Sequence, residues 1–483
     1  NWMSVFKDGL IRQGAAGAGD AAPYEISQSI IFNQADDASM MRTPSSASNK
    51  RTWSFSWWWK RGNLSGSTNG TNQRQPIFGT TAFSILSNHN STQIDGINVV
   101  YTGSANDIQT NEKFRDVSGW YHFVFVLDTT QTVDSERVRL YKNGERITSF
   151  ASITYPSLNT EYTVNNTQAH YIGLRNSGEN LDGYLAEINF VDGYAYGPEF
   201  FGEFNSNNIW VPKEYTGSYG TNGFFIDGRD SSDLGDDESG NGNDFSTTNM
   251  TASDQSLDTP TNNFCVINRV YGDASGLNDL NLSNGNLQIA GTSGNFDVLG
   301  YTFNLPKTGK WYFEYLIGGL YDGWGFVIVG EEASISGGNG IGQVSASQGG
   351  AIQYQGWIQG ASYATNFGAT FTAGHIHQVA IDVDNNKLYY GINNTYYAQD
   401  AGTDGNPSAG TNHLDTFDFN TNDIVLMTHQ TTGSAASHHN FGQNGTFNGQ
   451  KTAQGNTDAN GHGNFFYAVP TNYLALCTKN LQA

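Results

Sequence analysis

The eight residues 52–59 constrain this chain more than any other segment. Trp53, Phe55, Trp57 and Trp59 alternate there with Thr52, Ser54, Ser56 and Trp58. A period of two sends the first set to one face of a β-strand and the second set to the other. Four large aromatics on one face mark it as a core face. Trp58 departs from the pattern, a large aromatic among Thr and Ser on the polar face.

The rest of the chain repeats this logic. Residues 120–128, Trp-Tyr-His-Phe-Val-Phe-Val-Leu-Asp, are apolar on both faces and read as a central strand. Residues 137–141 lead from it into Lys142-Asn143-Gly144-Glu145, where Asn-Gly marks a tight hairpin. Further strands are expected at 184–190 and 224–226, the second closing the first module. In the second half, strands are expected at 311–316, 324–329 and 379–383, the last leading through Asp384-Asn385-Asn386 into 387–391. No long amphipathic helix is evident, and residues 198–204 suit one short turn.

Composition agrees. With 29 Phe, 25 Tyr and 10 Trp in a chain only 37% hydrophobic, much of the buried area must be aromatic. The 58 Gly outnumber the 10 Pro, and Gly with Asn supplies the positive φ angles of hairpin turns. The expectation is an all-β chain of 483 residues, long enough for more than one core. It divides into an N-terminal arm (1–23, small and Gly/Ala-rich), a first sandwich (24–228), an acidic Gly-rich linker (229–262) and a second sandwich (263–483).

Charge narrows the partners. A net charge of −22 argues against nucleic acid and anionic membranes, which require clustered Lys and Arg. Only 14% of residues are charged, so the surface is mainly neutral and hydrogen-bonding, suited to carbohydrate or protein. No apolar run is long enough to span a bilayer, and the opening residues show no secretory signal. Cys265 and Cys477 cannot make a disulfide framework; they could form one bridge or remain buried thiols.

Several of these segments resemble known families. Trp120-Tyr121-His122 leading to Leu127-Asp128, then Leu140-Tyr141-Lys142-Asn143-Gly144 and Gly183-Tyr184-Leu185-Ala186-Glu187, resemble the laminin-G/concanavalin-A-like lectin superfamily. Gly309-Lys310-Trp311-Tyr312-Phe313-Glu314, Gly323-Trp324-Gly325-Phe326, Ala380-Ile381-Asp382 and Leu388-Tyr389-Tyr390 resemble the SPRY domain. The resemblance implies two concanavalin-like antiparallel β-sandwich (jelly-roll) domains in tandem. The order also includes Arg42-Thr43-Pro44-Ser45-Ser46-Ala47, Ser239-Gly240-Asn241-Gly242-Asn243-Asp244 and Ala475-Leu476-Cys477-Thr478-Lys479-Asn480-Leu481. As a whole it is similar to structural or tail-fibre-type proteins of marine and cyanobacterial tailed phages. That likeness implies a non-catalytic protein of the virion exterior, assembled in the host cytoplasm as a homo-oligomer (a trimer). Its partners would be host-surface glycans, or other virion proteins if the role is fibre or capsid decoration.

Candidate chemistry was weighed against structural roles. Glucanases of the concanavalin-like fold need two carboxylates at alternate positions of one strand. Residues 185–190 offer Glu187 alone, followed by Asn189, so a glycan depolymerase is the least favoured reading. Asp230, Asp233, Asp236, Asp237 and Asp244, among Gly and Asn, are a candidate calcium site, against a solvated acidic linker. His429, His438 and His439 could serve a transition metal, against surface or strand-end histidines. For sugar stacking the candidates are Trp58, Tyr354, Trp357 and Tyr363, the last three in loops over 334–372, against simple loop anchors.

Overall fold

The computed structural model describes residues 24–64, 74–87, 95–101, 107–175, 179–272, 280–291, 297–320, 322–331, 347–353, 357–360, 363–430 and 435–481. The expected arm (1–23) and Tyr354 lie outside them. The chain divides into two compact units, the first closing at Asn263 and the second opening at Phe264. Among the described residues both are built from antiparallel sheets joined by turns; the only helices are four short 3-10 turns. The fold is all-β, two tandem sandwiches of the concanavalin-like kind.

In the first unit one sheet runs in the order Glu145–Arg146, Val138–Lys142, Trp120–Asp128, Thr52–Arg61, Gly183–Asp192, Ser29–Phe32, Gln255–Ser256. Phe224–Ile226 joins it beside Gly183–Asp192. The opposing sheet runs Phe150–Ile153, Ile108–Thr110, Ile97–Val100, Ser84–Ser87, Gln75–Thr80, His170–Ile172, Ser39–Arg42, Ser246–Thr248. Between the sheets Trp53, Phe55, Trp57 and Trp59 are fully buried. Phe55 stacks on Phe78 across the interface at 4.6 Å, and Trp53 meets Phe83 edge-on at 5.3 Å. These are the offset and T-shaped arrangements that ring quadrupoles favour. The period-two reading of 52–59 therefore holds residue by residue on its inner face.

The second unit packs a seven-stranded sheet, with Asp297–Leu305, Ile424–Gln430 and Gly323–Ile328 adjacent, and a nine-stranded one centred on Lys310–Leu316 and Ile376–Asp382. Phe313 lies at its heart, 5.7 Å from Tyr301, 5.7 Å from Trp324 and 5.4 Å from Phe441.

Two expectations need correction, and one open alternative is decided. The stretch 229–262 is not a linker: Ser246–Thr248 pairs with Ser39–Arg42, and Gln255–Ser256 pairs with Ser29–Phe32. Both are short sheet-edge strands with no alternation to betray them, and Phe224–Ile226 is accordingly not the closing strand. Within 334–372, expected as loop, Gly349–Gln353, Trp357–Gly360 and Tyr363–Asn366 form consecutive antiparallel pairs. Finally, Cys265 and Cys477 are brought close, since Phe264 bridges to Cys477 and the Cys265 amide donates to the Leu476 carbonyl. Both are buried as thiols rather than joined in a bridge.

Candidate functional site

The outer face of the first sheet carries the residues of interest, and it begins at Trp58. Facing away from the core, Trp58 is nevertheless only 3% exposed. It stacks on His122 of the neighbouring strand at 4.7 Å, and Trp210 stacks beyond His122 at 5.8 Å. Trp58 is therefore no platform for a sugar, because protein already covers it. The irregular segment that covers it has no periodicity for a sequence reading to find.

His122 sits 2.8 Å from the Ser56 hydroxyl, the spacing of a nucleophile and its base. The third partner decides otherwise. Trp210 Nε1–H, a donor only, points at His122 Nδ1 at 3.0 Å, which places the imidazole proton on Nε2. Nε2 therefore donates to Ser56 and cannot accept its proton. Burial holds this imidazole far below its ordinary range, to about 3, so it stays neutral. The pair is a packing device.

Four residues further along the same face, strand Gly183–Asp192 is bulged. Ala186 pairs with Trp58 and Asn189 with Ser56, leaving Glu187 and Ile188 opposite one residue. Glu187 takes a φ of 49°, a left-handed conformation worth about 1–3 kcal/mol of strain in a non-glycine residue. Its carboxyl is buried and accepts the Tyr24 hydroxyl at 3.0 Å. Burial, reinforced by Asp227 and Glu214 against the Arg229 guanidinium, raises it to about 8. Two residues on, Asn189 accepts the Tyr219 hydroxyl at 2.7 Å. Asp227 is held by the backbone N–H and side chain of Arg229. A protonated carboxyl beside an amide and two phenols can hydrogen-bond a neutral polar ligand, but the alternate position of the glucanase pattern holds Asn189, and Asp192 at the strand's end is taken up by the Asn165 side-chain amide and the Asn222 backbone N–H.

Beside the bulge lies a run of aromatics that reaches the surface. Tyr194 stacks on Tyr196 at 5.2 Å with rings within 8° of parallel, and Tyr196 stacks on Phe200 at 4.1 Å. Tyr215 and Tyr219 continue the run toward Asn189, 6.1 and then 4.9 Å apart. Ser54 fixes this loop: its hydroxyl accepts the Tyr196 amide at 2.7 Å and lies 2.9 Å from the Tyr194 carbonyl. Tyr194 is 42% and Phe200 39% exposed, whereas both faces of Tyr196 are covered by its neighbours. The free faces for a ligand are thus the outer ones of Tyr194 and Phe200. Sequence reasoning passed over both. The only signal was Tyr194-Ala195-Tyr196-Gly197-Pro198, aromatics concentrated where no strand is expected.

The acidic cluster resolves differently from the expected calcium site. Asp237 alone accepts four hydrogen bonds, from the Phe225, Ser239 and Asn243 amides and the Ser239 hydroxyl. Asp230 caps the Ser232 amide, Asp233 the Gly235 amide and Asp244 the Asp237 amide. Asn241 and Asn243 clasp the carbonyls of Gly220, Thr221 and Gly223. The carboxylates are spent on backbone donors, and among the described residues no three His, Cys, Asp or Glu side chains are grouped to hold a metal ion. Chelating calcium with EDTA is expected to leave Tm unchanged by scanning calorimetry; a fall would restore the metal reading.

In the second unit, His429, His438 and His439 are buried rather than at the surface. His439 faces the Tyr301 hydroxyl at 3.2 Å, and His438 accepts from the Asn448 amide at 3.1 Å. Trp357 and Tyr363 lie on strands Trp357–Gly360 and Tyr363–Asn366, the last two of the seven-stranded sheet, described in backbone only.

A family model described as the concanavalin A-like lectin/glucanases superfamily matches residues 35–195, about a third of the chain. No curated protein sequence matches. Among solved structures, the SPRY domain of human HERC1 is 12% identical, with a TM-score of 0.24 over 33% of this chain and 91% of that one. A SAP-like pentraxin from Limulus polyphemus is 15% identical, with a TM-score of 0.27 over 36% of this chain and 79% of that one. Domain 4 of a GH43 extracellular arabinanase from Geobacillus stearothermophilus, in complex with arabinotriose, is 20% identical, with a TM-score of 0.26 over 37% and 76%.

Proposed function

We propose that this chain is a non-catalytic adhesion protein on the exterior of a tailed-phage particle, and that its first unit binds host-surface glycans. The observation that carries the glycan reading is the exposed stack of Tyr194, Tyr196 and Phe200 on a lectin-like sandwich. Sugars present C–H faces that stack on such rings, while neighbouring amide, phenol and carboxyl groups read their hydroxyls. Asn189, Tyr219, Tyr24 and the Glu187 carboxyl supply those groups within the same face. The non-catalytic reading rests on Asn189 standing where a second carboxylate would be, and on the proton arrangement of Ser56 and His122. The phage assignment, the homotrimer and the other virion proteins as partners rest on the order of motifs quoted above.

The test is binding of the purified chain to host cells and to a glycan array, together with competition against phage adsorption. The double variant Tyr194→Ala/Phe200→Ala is expected to weaken binding about tenfold, the loss of roughly 1.4 kcal/mol of ring stacking. Unchanged glycan binding by that variant would remove this surface from the site. A chain that binds no host glycan yet is incorporated in particles would instead be a fibre or decoration protein.

A further inference from the structure

The penultimate residue of strand Thr52–Arg61 is a fully buried lysine. The Lys60 ammonium lies 2.6 Å from Asp258 Oδ2 and 2.7 Å from Asn263 Oδ1, and all three side chains are buried. The other Asp258 oxygen accepts Trp120 Nε1–H at 3.1 Å. The Asn263 amide nitrogen donates to the Ser118 carbonyl at 2.6 Å, which fixes the amide's orientation: its oxygen, not its nitrogen, faces Lys60. The Tyr184 ring closes the site 5.7 Å from Nζ. An amine, a carboxamide carbon and an acid are thus held together away from water, the arrangement in which an intramolecular acyl transfer gains most from proximity.

We propose that Lys60 and Asn263 form an intramolecular isopeptide bond, with Asp258 as the proton carrier. Asp258 takes a proton from Nζ across their hydrogen bond, leaving a neutral amine and a neutral acid. The Nζ lone pair attacks Asn263 Cγ, which lies one C=O bond, about 1.2 Å, beyond the oxygen it already contacts. The Asp258 acid hydrogen-bonds the oxygen as negative charge develops there. As the tetrahedral carbon collapses, the bond from Cγ to Nδ2 breaks. A second proton passes from Nζ through Asp258 to Nδ2, which departs as ammonia. A secondary amide and a protonated Asp258 remain, and no oxidant or cofactor is consumed. The product exchanges a buried ion pair, costly to desolvate, for a neutral hydrogen-bonded pair.

The two residues are 203 positions apart, and Asn263 is the last residue of the first unit. The bond would close the unit's C-terminal end onto its central strand. Load entering the chain at Asn263 would pass directly to Lys60 and bypass the intervening strands, an advantage in a protein exposed on a particle surface.

Intact mass spectrometry of the denatured full chain decides the matter. The expected mass is one ammonia below that of the sequence, and proteolysis should yield one branched peptide containing both Lys60 and Asn263. Asp258→Ala, Lys60→Met and Asn263→Ala should each restore the unmodified mass. A folded wild-type chain at its full sequence mass overturns the proposal. So does an ammonia loss that persists in Asp258→Ala without a branched peptide, because succinimide at an Asn-Gly site would then account for it.

Discussion

Lowering the pH from 7 to 4.5 is expected to drop the Tm of the second unit by roughly 10–20 °C while moving the first far less. The cause is the buried imidazoles. Burial holds His429 and His438 at about 4 and His439 at about 3, and pushes His377 well below its ordinary range. A group whose folded pKa is depressed contributes stability above its unfolded pKa and loses it as pH falls toward the folded value. Here the loss runs from about 6.5 downward, because the unfolded chain takes up protons that the folded core refuses. At pH 4.5 each of the three histidines with a stated value costs about 2–3 kcal/mol, roughly 8 kcal/mol together.

Glu314 acts in the opposite sense. It is buried against the Phe466 and Tyr467 amides and the Tyr312 hydroxyl, and burial raises it to about 7. A raised carboxyl stabilises the fold at low pH and loses that contribution as pH rises through 7, so acidification returns about 3 kcal/mol. The net loss is about 5 kcal/mol, a large part of a domain's usual stability. In the first unit His122 at about 3 and His170 at about 4 cost roughly 5 kcal/mol, and Glu187, raised to about 8, returns about 3. The net loss there is about 2 kcal/mol, less than half that of the second unit. Scanning calorimetry between pH 7 and 4.5 checks this; a second unit whose Tm is flat over that range would contradict the burial of its histidines as described.

How much of this was legible in the sequence depended on whether burial was one-sided. The inner face of residues 52–59 could be read directly, because four alternating aromatics on a strand must face a core. Trp58 could not be placed, since its cover comes from distant parts of the chain, Ile26 before the first strand and Trp210, which share no period with its own strand. The Glu187 bulge left no trace, because one inserted residue in a run of apolar neighbours does not disturb composition. Residues 230–244 misled for a chemical reason. Asp, Ser, Asn and Gly are the residues of a solvated linker, and they are equally the residues that cap backbone amides and turn tightly. Only the partners of Asp237, given by the fold, separate the two cases.

Replacing Arg61 by Met is expected to destabilise the first unit by about 3–5 kcal/mol, the largest effect of any single substitution argued for here. Arg61 turns inward where Lys60 turns outward, and it is 1% exposed. Its guanidinium donates to the Phe114 carbonyl at 3.0 Å, the Asn63 carbonyl at 2.8 Å and Asp95 Oδ1 at 3.2 Å, and it lies 4.8 Å over the Trp59 ring. Two separate loops therefore close on one planar cation. Burial lowers its affinity for a proton while Asp95 raises it, and these acceptors compensate a charge that is held away from water. Met fills the volume but takes the guanidinium donor from the buried Phe114 carbonyl, one of two donors from the Asn63 carbonyl, which keeps the Gln75 amide, and a buried cation from Asp95, whose other ion pair is to the more than half exposed Arg115. Arg61→Lys should recover little, because a single ammonium cannot span three acceptors set by a fork. Urea unfolding followed by tryptophan fluorescence measures both. A loss below about 1 kcal/mol in Arg61→Met would mean that apolar packing replaces the cation, as it can for whole buried ion pairs. Lys60 cannot serve for this measurement, since its removal would also abolish a covalent tie; Arg61 isolates what a buried charge contributes at the end of this strand.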